Sequence, residues 1–276
     1  MNFFSLPFQY KMSDSKTISL KISKSPGKLR VGKIQGKNFP TYPGFTQIIV
    51  KTKSDGSYWQ LSPYYTKCTI PGTTQKGIME NCWQNSKIYQ TVKKQNQRAK
   101  WNSNLIIWEY PEEQHIDSSG NILPAYLKWR MKLATNEYAV RYPNGYNGRH
   151  ECICSLLPDE NGALIPVSGP NGQKATKEER YIAARKAIYC PLYAESVGEL
   201  KEFKELQTRL NSGENLLILD VDGPSKTEKY PFHFVEDGSI AINEELTKAM
   251  LNDSSQPFGH GAVLSVLLLN KEEWLK

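Results

Sequence analysis

The sequence predicts a single α+β domain with a mixed sheet, a central helix and further helices packed around it. Strand-like and helix-like segments alternate without a regular βαβ period, and the run NLLILDVDG (215–223) is almost continuously apolar. The chain has 276 residues and 39% hydrophobic content, which is enough to bury a sizeable core. We expect the domain to span residues 28–276 and residues 1–27 to form a basic, poorly ordered arm.

Strand and helix signals follow one another in the first half of the chain. KLRVGKI (28–34) and FTQIIVKTK (45–53) are rich in β-branched residues and predict strands. GIMENCWQNSKIYQTV opens a predicted helix that runs from about Gly77 to Lys94. NLIIWEY (104–110) predicts another strand. PAYLKWRMKLA predicts a short helix that opens at Pro124, because proline is favoured in the first helical turn.

The second half contains the most regular patterns. EYAVRYPNGYNGRHECICSLL (137–157) predicts two strands around a Gly/Asn-rich loop. Thr176 with Glu179 three residues later forms a capping-box pattern that opens a helix. SVGELKEFKELQTRLNSG (196–213) has apolar residues at helical spacing and predicts an amphipathic helix. NLLILDVDG then predicts a strand buried on both faces, and FGHGAVLSVLLLN predicts a short apolar helix opened by glycines.

The positive charge of the chain lies in its first 40 residues. That segment has eight lysine and arginine residues and one aspartate, a balance of +7, which equals the net charge of the whole chain. A basic arm attracts polyanions through their phosphates, so we expect contact with DNA or RNA there. A solubilising tail is the alternative interpretation.

Composition also limits where the protein works. No run approaches the roughly 18 apolar residues that a membrane span needs, and the N-terminus lacks a secretory signal pattern. The five cysteines are odd in number and follow no disulfide or metal spacing, so we expect free thiols, no metal and no cofactor. These features predict a soluble, intracellular protein without membrane contact, located in the cytoplasm (of a host cell if the source is viral).

One helix face carries an acid, an amide and a base. Within the predicted helix, Glu80, Gln84, Lys87 and Thr91 fall in a sector of about 60°, surrounded by apolar residues. A narrow polar stripe on an apolar helix predicts a buried helix whose stripe lines a cavity. Glu80 and Lys87 would lie about 10.5 Å apart along the axis, so a ligand would fit between them with Gln84 as a middle contact. A solvated stripe with distant salt-bridge partners is the alternative.

Two later segments also contain candidate site residues. Asp220 and Asp222 end the apolar strand two residues apart, where both would face one side, and strand ends commonly hold ligands. Gly259 and Gly261 flank His260 at a helix start, where backbone N–H groups can approach a phosphate. A capped strand end and a tight packing turn are the respective alternatives.

Aromatic and arginine residues are dense between residues 101 and 149. Eight tryptophans and tyrosines occur there with Arg130, Arg141 and Arg149. Such side chains can stack on a nucleobase and hold a phosphate, and packing in a core is the alternative.

Three of these motifs, in this order, resemble the NADAR family, also called YbiA-like. The similar segments are LSPYY (61–65) followed by ENCWQNSK (80–87), then LQTRLNSGENLLILDVD (206–222), and finally FGHGAVLSVLLL (258–269). Phe258 stands where the family has tryptophan, and Asn81 stands where the family has histidine. The chain resembles a divergent member with a large insertion at about residues 95–177.

The resemblance implies an N-glycosidase that hydrolyses a ribose–nitrogen bond. The substrate classes of the family are an ADP-ribosylated nucleobase in nucleic acid and a phosphorylated riboflavin intermediate, and the resemblance leaves both open. The substrate of this chain would be a ribosylated base or ADP-ribosylated nucleic acid. The implied catalytic residues are Glu80 as carboxylate, Lys87 as proton donor, phosphate contact or Schiff-base amine, and Asp222 as second carboxylate. The residues expected to bind substrate are Gln84, Trp83, Ser62, Tyr64, Asp220, Phe258, Gly259, His260, Gly261 and Arg141.

Two other functions compete with this interpretation. A nucleic-acid-binding module without catalysis would use the basic arm and the arginine-rich insertion, and its binding would be sensitive to salt. A phosphatase-like function of the DVDG segment, which is similar to the DxD of haloacid-dehalogenase phosphatases, would require magnesium.

Overall fold

The computed structural model describes residues 25–51, 57–91, 114–139, 152–167, 175–224 and 238–276. The predicted strand 104–110, Arg141 and most of the basic arm lie outside these ranges. Among the described residues, no helix has both the length and the apolar character needed to cross a membrane.

A four-stranded mixed sheet is the framework of the fold. Its order is β2 (Thr46–Ile49), β8 (Leu216–Asp220), β1 (Leu29–Lys33) and β9 (Ser239–Ala241). The strand β8 runs parallel to both β1 and β2, whereas β9 is antiparallel to β1. Every residue of β8 is buried, as its continuous apolar run predicts for a strand covered on both faces. The α+β class and the mixed sheet are therefore confirmed.

Helices cover this sheet. The last helix, α7 (His260–Leu268), is buried along its whole length and packs against β8 and β1. Around it lie α4 (Cys190–Val197) and α5 (Lys201–Asn211), and α6 (Glu244–Leu251) packs against the C-terminal 3₁₀ turn. The helix predicted over 196–213 is thus two helices, because Leu200 is extended and starts α5 anew.

The predicted helix from Gly77 to Lys94 is wrong in its extent. A hairpin of β3 (Lys67–Thr69) and β4 (Lys76–Ile78) leads into α1 (Met79–Asn85), which has only seven residues, and β5 (Lys87–Tyr89) follows at once. At the end of α1 the Ser86 hydroxyl donates to the Trp83 carbonyl oxygen at 2.8 Å. The chain then extends because β5 pairs with a strand far along the sequence, and this pairing overrides local helical spacing.

The insertion builds a second hydrophobic cluster beside β5. It supplies α2 (Pro124–Ala134), β6 (Cys152–Pro158) and β7 (Leu164–Pro166), and the order β5–β6–β7 forms an antiparallel sheet. The helix at Pro124 is confirmed, and β6 is the second of the two strands predicted within 137–157. The cluster is apolar and aromatic; its buried members are Ile88, Tyr89, Ile116, Tyr126, Leu133, Cys152 and Leu156.

An irregular helical segment connects the insertion to α4. The predicted capping box of Thr176 and Glu179 is confirmed at the start of α3 (Lys177–Ala184). The chain then widens into a π-helical turn, Arg185–Tyr189, before α4. Pro191 sits just inside α4, and a proline there would clash with the carbonyl of residue 187 in a regular α-helix. The wider turn relieves that clash.

Candidate active site

A buried hydrogen-bonded chain connects the acid, the amide and the base. Gln84 Nε2 donates to Glu80 Oε1 at 2.8 Å, and Lys87 Nζ donates to Gln84 Oε1 at 2.8 Å. Glu80 and Gln84 lie one turn apart on α1, and Lys87 is the first residue of β5. We call these three residues the relay. α1 ends at Asn85, and Lys87 at the start of β5 still reaches the Gln84 side chain.

The relay corrects the expectation of a ligand between Glu80 and Lys87. Gln84 occupies that space and bonds to both neighbours, so the two charged groups are not the ends of an open cradle. The amide has one orientation that suits both partners, with its NH₂ toward the carboxylate and its carbonyl toward the ammonium. Turning the amide over would oppose two acceptors at one end and two donors at the other.

The relay has an inner and an outer end. Lys87 is 1% exposed, whereas Glu80 is 8% exposed. The Lys87 ammonium lies 4.5 Å from the centroid of the Trp83 ring, a cation–π contact. Burial lowers the pKa of Lys87 to about 8, and the charges of Cys152 and Glu80 oppose that shift. Lys87 is therefore an amine with a pKa of about 8, and Glu80 is the less deeply buried end of the relay.

Tyr189 is a site residue that sequence reasoning missed. Its ring centroid lies 5.4 Å from that of Trp83, and it is 8% exposed. Burial raises the pKa of Tyr189 well above its usual value, and the charges of Asp220, Glu80 and Asp222 raise it further. The phenol therefore keeps its proton while it sits near the carboxylates of both site segments.

A π-helical turn is the reason that Tyr189 was missed. Segments of this kind recur at functional sites, yet the surrounding sequence has ordinary helical spacing. Pro191 was the one available signal, because a proline within a helical run marks an irregularity.

Asp220 and the glycine turn meet at the start of α7. Asp220 is fully buried, and its Oδ2 accepts a hydrogen bond from the Gly261 N–H at 3.0 Å and lies 3.1 Å from His260 Nδ1. His260 Nε2 lies 2.8 Å from the Val50 carbonyl oxygen, so acceptors face both ring nitrogens.

This arrangement corrects the prediction of a phosphate at the glycine turn. The Asp220 carboxylate already occupies the helix N-terminus and would repel a second anion. The glycines allow this close approach: a Cβ on Gly259 would lie 2.3 Å from Asp220 Oδ2, and one on Gly261 would lie 2.9 Å from Asp220 Cβ. Tight packing, the alternative stated for these glycines, is what the structure contains.

Asp222 differs from Asp220 in its surroundings. It lies in the turn after β8, its residue is exposed, and its backbone N–H donates to Asp220 Oδ1 at 3.2 Å. The expectation that both carboxylates end the strand together is therefore wrong, since only Asp220 belongs to β8.

The remaining predicted residues surround the relay or hold its elements. Pro63, in the LSPYY segment, accepts a hydrogen bond from the Glu80 N–H at 3.0 Å. In the same segment the buried Ser62 hydroxyl accepts the Tyr64 N–H at 3.4 Å. Phe258 is buried, and the Arg185 guanidinium carbon lies 5.7 Å from the centroid of its ring.

Arg185 is a second residue that the sequence did not identify. It is buried and donates to the carbonyl oxygens of Met250, Leu251, Asp253 and Gln256. This side chain therefore fixes the loop that leads from α6 to Phe258.

No group of three or more His, Cys, Asp or Glu side chains within the described ranges is arranged to hold a metal ion. All five cysteines are free thiols, as predicted. No protein-family model, curated protein or solved structure matches this chain.

Proposed function

We propose that this chain is an N-glycosidase of the NADAR type that hydrolyses a ribose–nitrogen bond and removes ADP-ribose from a nucleobase in nucleic acid. The relay is the observation that carries the proposal. An acid, an amide and a base joined by two 2.8 Å hydrogen bonds are costly to bury and need a compensating role.

Glu80 acts on the sugar side of the reaction. Cleavage of the bond develops positive charge at C1′ and negative charge on the departing nitrogen. Glu80 takes a proton from the water whose oxygen bonds to C1′, and its negative charge stabilises C1′. The electron pair of the broken C1′–N bond goes to the nitrogen. Glu80 suits this task because it is the outer end of the relay.

Tyr189 supplies the proton for the departing nitrogen, and Glu80, which holds the proton taken from water, afterwards returns it to the phenolate. Burial, with the charges of Asp220, Glu80 and Asp222, raises the pKa of Tyr189, so the phenol gives up its proton only as negative charge develops on the nitrogen. Lys87 and Gln84 act through Glu80 instead of touching the substrate: the ammonium orients the amide, and the amide orients the carboxylate. Lys87 is therefore a positioning residue in this mechanism.

Released ADP-ribose, measured by mass spectrometry after incubation with ADP-ribosylated DNA, tests the proposal. Glu80→Gln should reduce the rate by about 10²–10⁴-fold, the usual worth of a positioned acid or base. Glu245→Gln, an exposed glutamate in the first turn of α6, is the matched control and should keep the wild-type rate. Full activity of Glu80→Gln would overturn the assignment of the site.

The pH dependence of the rate distinguishes a positioning role of Lys87 from a purely structural one. Lys87 loses its charge with a pKa of about 8. The glycosidase rate should therefore decline above pH 8, as the hydrogen bond from Lys87 to Gln84 weakens. Lys87→Met should remove that inflection as well as lower the rate. An inflection that persists in this variant would assign it to another group.

The non-catalytic nucleic-acid module would bind through the eight basic residues of the first 40 positions. One of them, Arg30, lies in β1, where it is buried, donates to Ser239 and lies 3.7 Å from the Tyr42 ring centroid. Salt-sensitive DNA binding without product release, unchanged in Glu80→Gln, would favour that module over the glycosidase.

A further inference from the structure

Arg130 is a buried arginine on the inner face of α2. It is 4% exposed and lies one turn from Tyr126 along the helix. Its backbone carbonyl accepts a hydrogen bond from Asn85 Nδ2 at 3.2 Å, which ties this part of α2 to the end of α1.

The guanidinium of Arg130 has no acceptor among the residues that the structure describes. The other four arginines in the same ranges all donate to protein oxygens. Arg30 bonds to Ser239, Arg180 to Ile153 and Arg209 to Glu214, and Arg185 bonds to four carbonyls. Arg130 is thus the exception.

A buried guanidinium without an acceptor is unfavourable in the free protein. The guanidinium stays charged at any physiological pH, and its five N–H donors need acceptors. Burial lowers the pKa of Arg130, with opposing effects from the charges of Tyr126 and Cys82. Neither is a carboxylate, so no carboxylate of the described residues offsets this positive charge.

We propose that Arg130 anchors an oxyanion subsite that binds a phosphate group. The planar fork of a guanidinium matches two oxygens of a phosphate, and a phosphate supplies the negative charge that the described neighbours of Arg130 do not. Aromatic rings on the same helix, Tyr126 and Trp129 with centroids 6.2 Å apart, line this part of α2. The ligand class is a phosphate ester or a diphosphate.

The subsite is distinct from the relay. The charge of Cys82 acts on Arg130, and Cys82 lies about 200° around α1 from Glu80. The two sites therefore use opposite faces of one short helix. The proposal goes beyond the glycosidase and does not depend on it, because anion binding is measured without turnover.

Thermal unfolding of the full chain with inorganic phosphate or pyrophosphate, at ionic strength matched with KCl, tests the subsite. At about 100 times Kd, the bound anion should raise the Tm of the wild type by about 5 °C or more. Arg130→Met should abolish this shift. Because it removes an uncompensated charge, the same change should raise the Tm by about 2–4 °C when no anion is present.

Arg180→Met is the matched control, since Arg180 donates to the carbonyls of Ile153 and Ala175. That variant should lower the Tm and keep the anion-induced shift. Arg130→Lys, which keeps the charge without the fork, should bind pyrophosphate more weakly than the wild type.

Three outcomes would overturn the inference. A lower Tm for Arg130→Met without anion would mean that its guanidinium bonds to the protein. An anion-induced shift that survives in Arg130→Met would place the site elsewhere. A shift with acetate but not with phosphate would identify a carboxylate site.

Discussion

Replacing Lys87 with methionine should change how the stability of the protein depends on pH. The pKa of Lys87 is about 8 in the folded protein against 10.5 for an ordinary lysine, because the ammonium is buried at the inner end of the relay. Between these two values the unfolded chain holds a proton that the folded chain has released, so raising the pH favours folding. At pH 7 both states hold the proton, and the folded state bears the full cost of the buried charge.

The two pKa values set the magnitude. The wild type should gain about 2–3 kcal/mol of unfolding free energy relative to Lys87→Met between pH 7 and pH 10. Loss of the hydrogen bond to Gln84 lowers the stability of the variant, but this effect is nearly constant with pH. The slope of the difference therefore isolates the titration of Lys87.

Urea unfolding at pH 7, 8, 9 and 10 gives the unfolding free energy of the wild type and of the variant. The difference between the two free energies is then compared across pH. Lys128→Met, on the exposed side of α2, is the control and should show a difference that stays flat across this range. A flat difference for Lys87→Met would refute the reasoning, since it would mean that the amine is hydrated. A difference of opposite slope would mean that the folded state stabilises the ammonium.

Three further substitutions test the contacts around the site, each by urea or thermal unfolding. Asp220→Ala removes the acceptor of the Gly261 N–H and the partner of a buried histidine, and should cost about 2–4 kcal/mol. Gly259→Ala should cost about 1–3 kcal/mol because its Cβ would press on the Asp220 carboxylate, whereas at Gly198 the nearest atom is 3.4 Å away and alanine should be tolerated. Arg185→Met should cost about 3–5 kcal/mol, since it leaves buried carbonyls without a donor, and a stability equal to wild type would contradict the described bonds.

Sequence patterns predicted elements well where the determining interactions are local. The capping box at Thr176, the proline that opens α2 and the apolar run of β8 each encode their element within a few residues. The predictions failed where pairing with a strand far along the sequence determines the local structure. β5 extends because it meets β6 some 65 residues later, and α1 ends where that pairing begins. Helical spacing continues past this point in the sequence, so local periodicity alone gives the wrong helix length.

The candidate site shows the same division. Glu80, Gln84 and Lys87 were identified together because their spacing is helical, and the structure does bring them together, although through a strand. Asp220 was singled out correctly, but its role at the start of α7 depends on a helix 40 residues later. Tyr189 carries no motif, and its placement depends on a π-helical turn that spacing does not predict.

The burial of Lys87 also determines the chemistry assigned to it. An exposed amine with no hydrogen-bond partner could trap a ribose directly. In the observed fold Lys87 is 1% exposed and its amine donates a hydrogen bond to Gln84. Covalent capture of a ribose by this amine would therefore require the relay to open. Borohydride should therefore trap no ribose on Lys87 during turnover, and mass spectrometry of peptides from reduced reactions measures this. A reduced adduct on Lys87 would show that the relay opens and that the amine, not Glu80, meets the sugar.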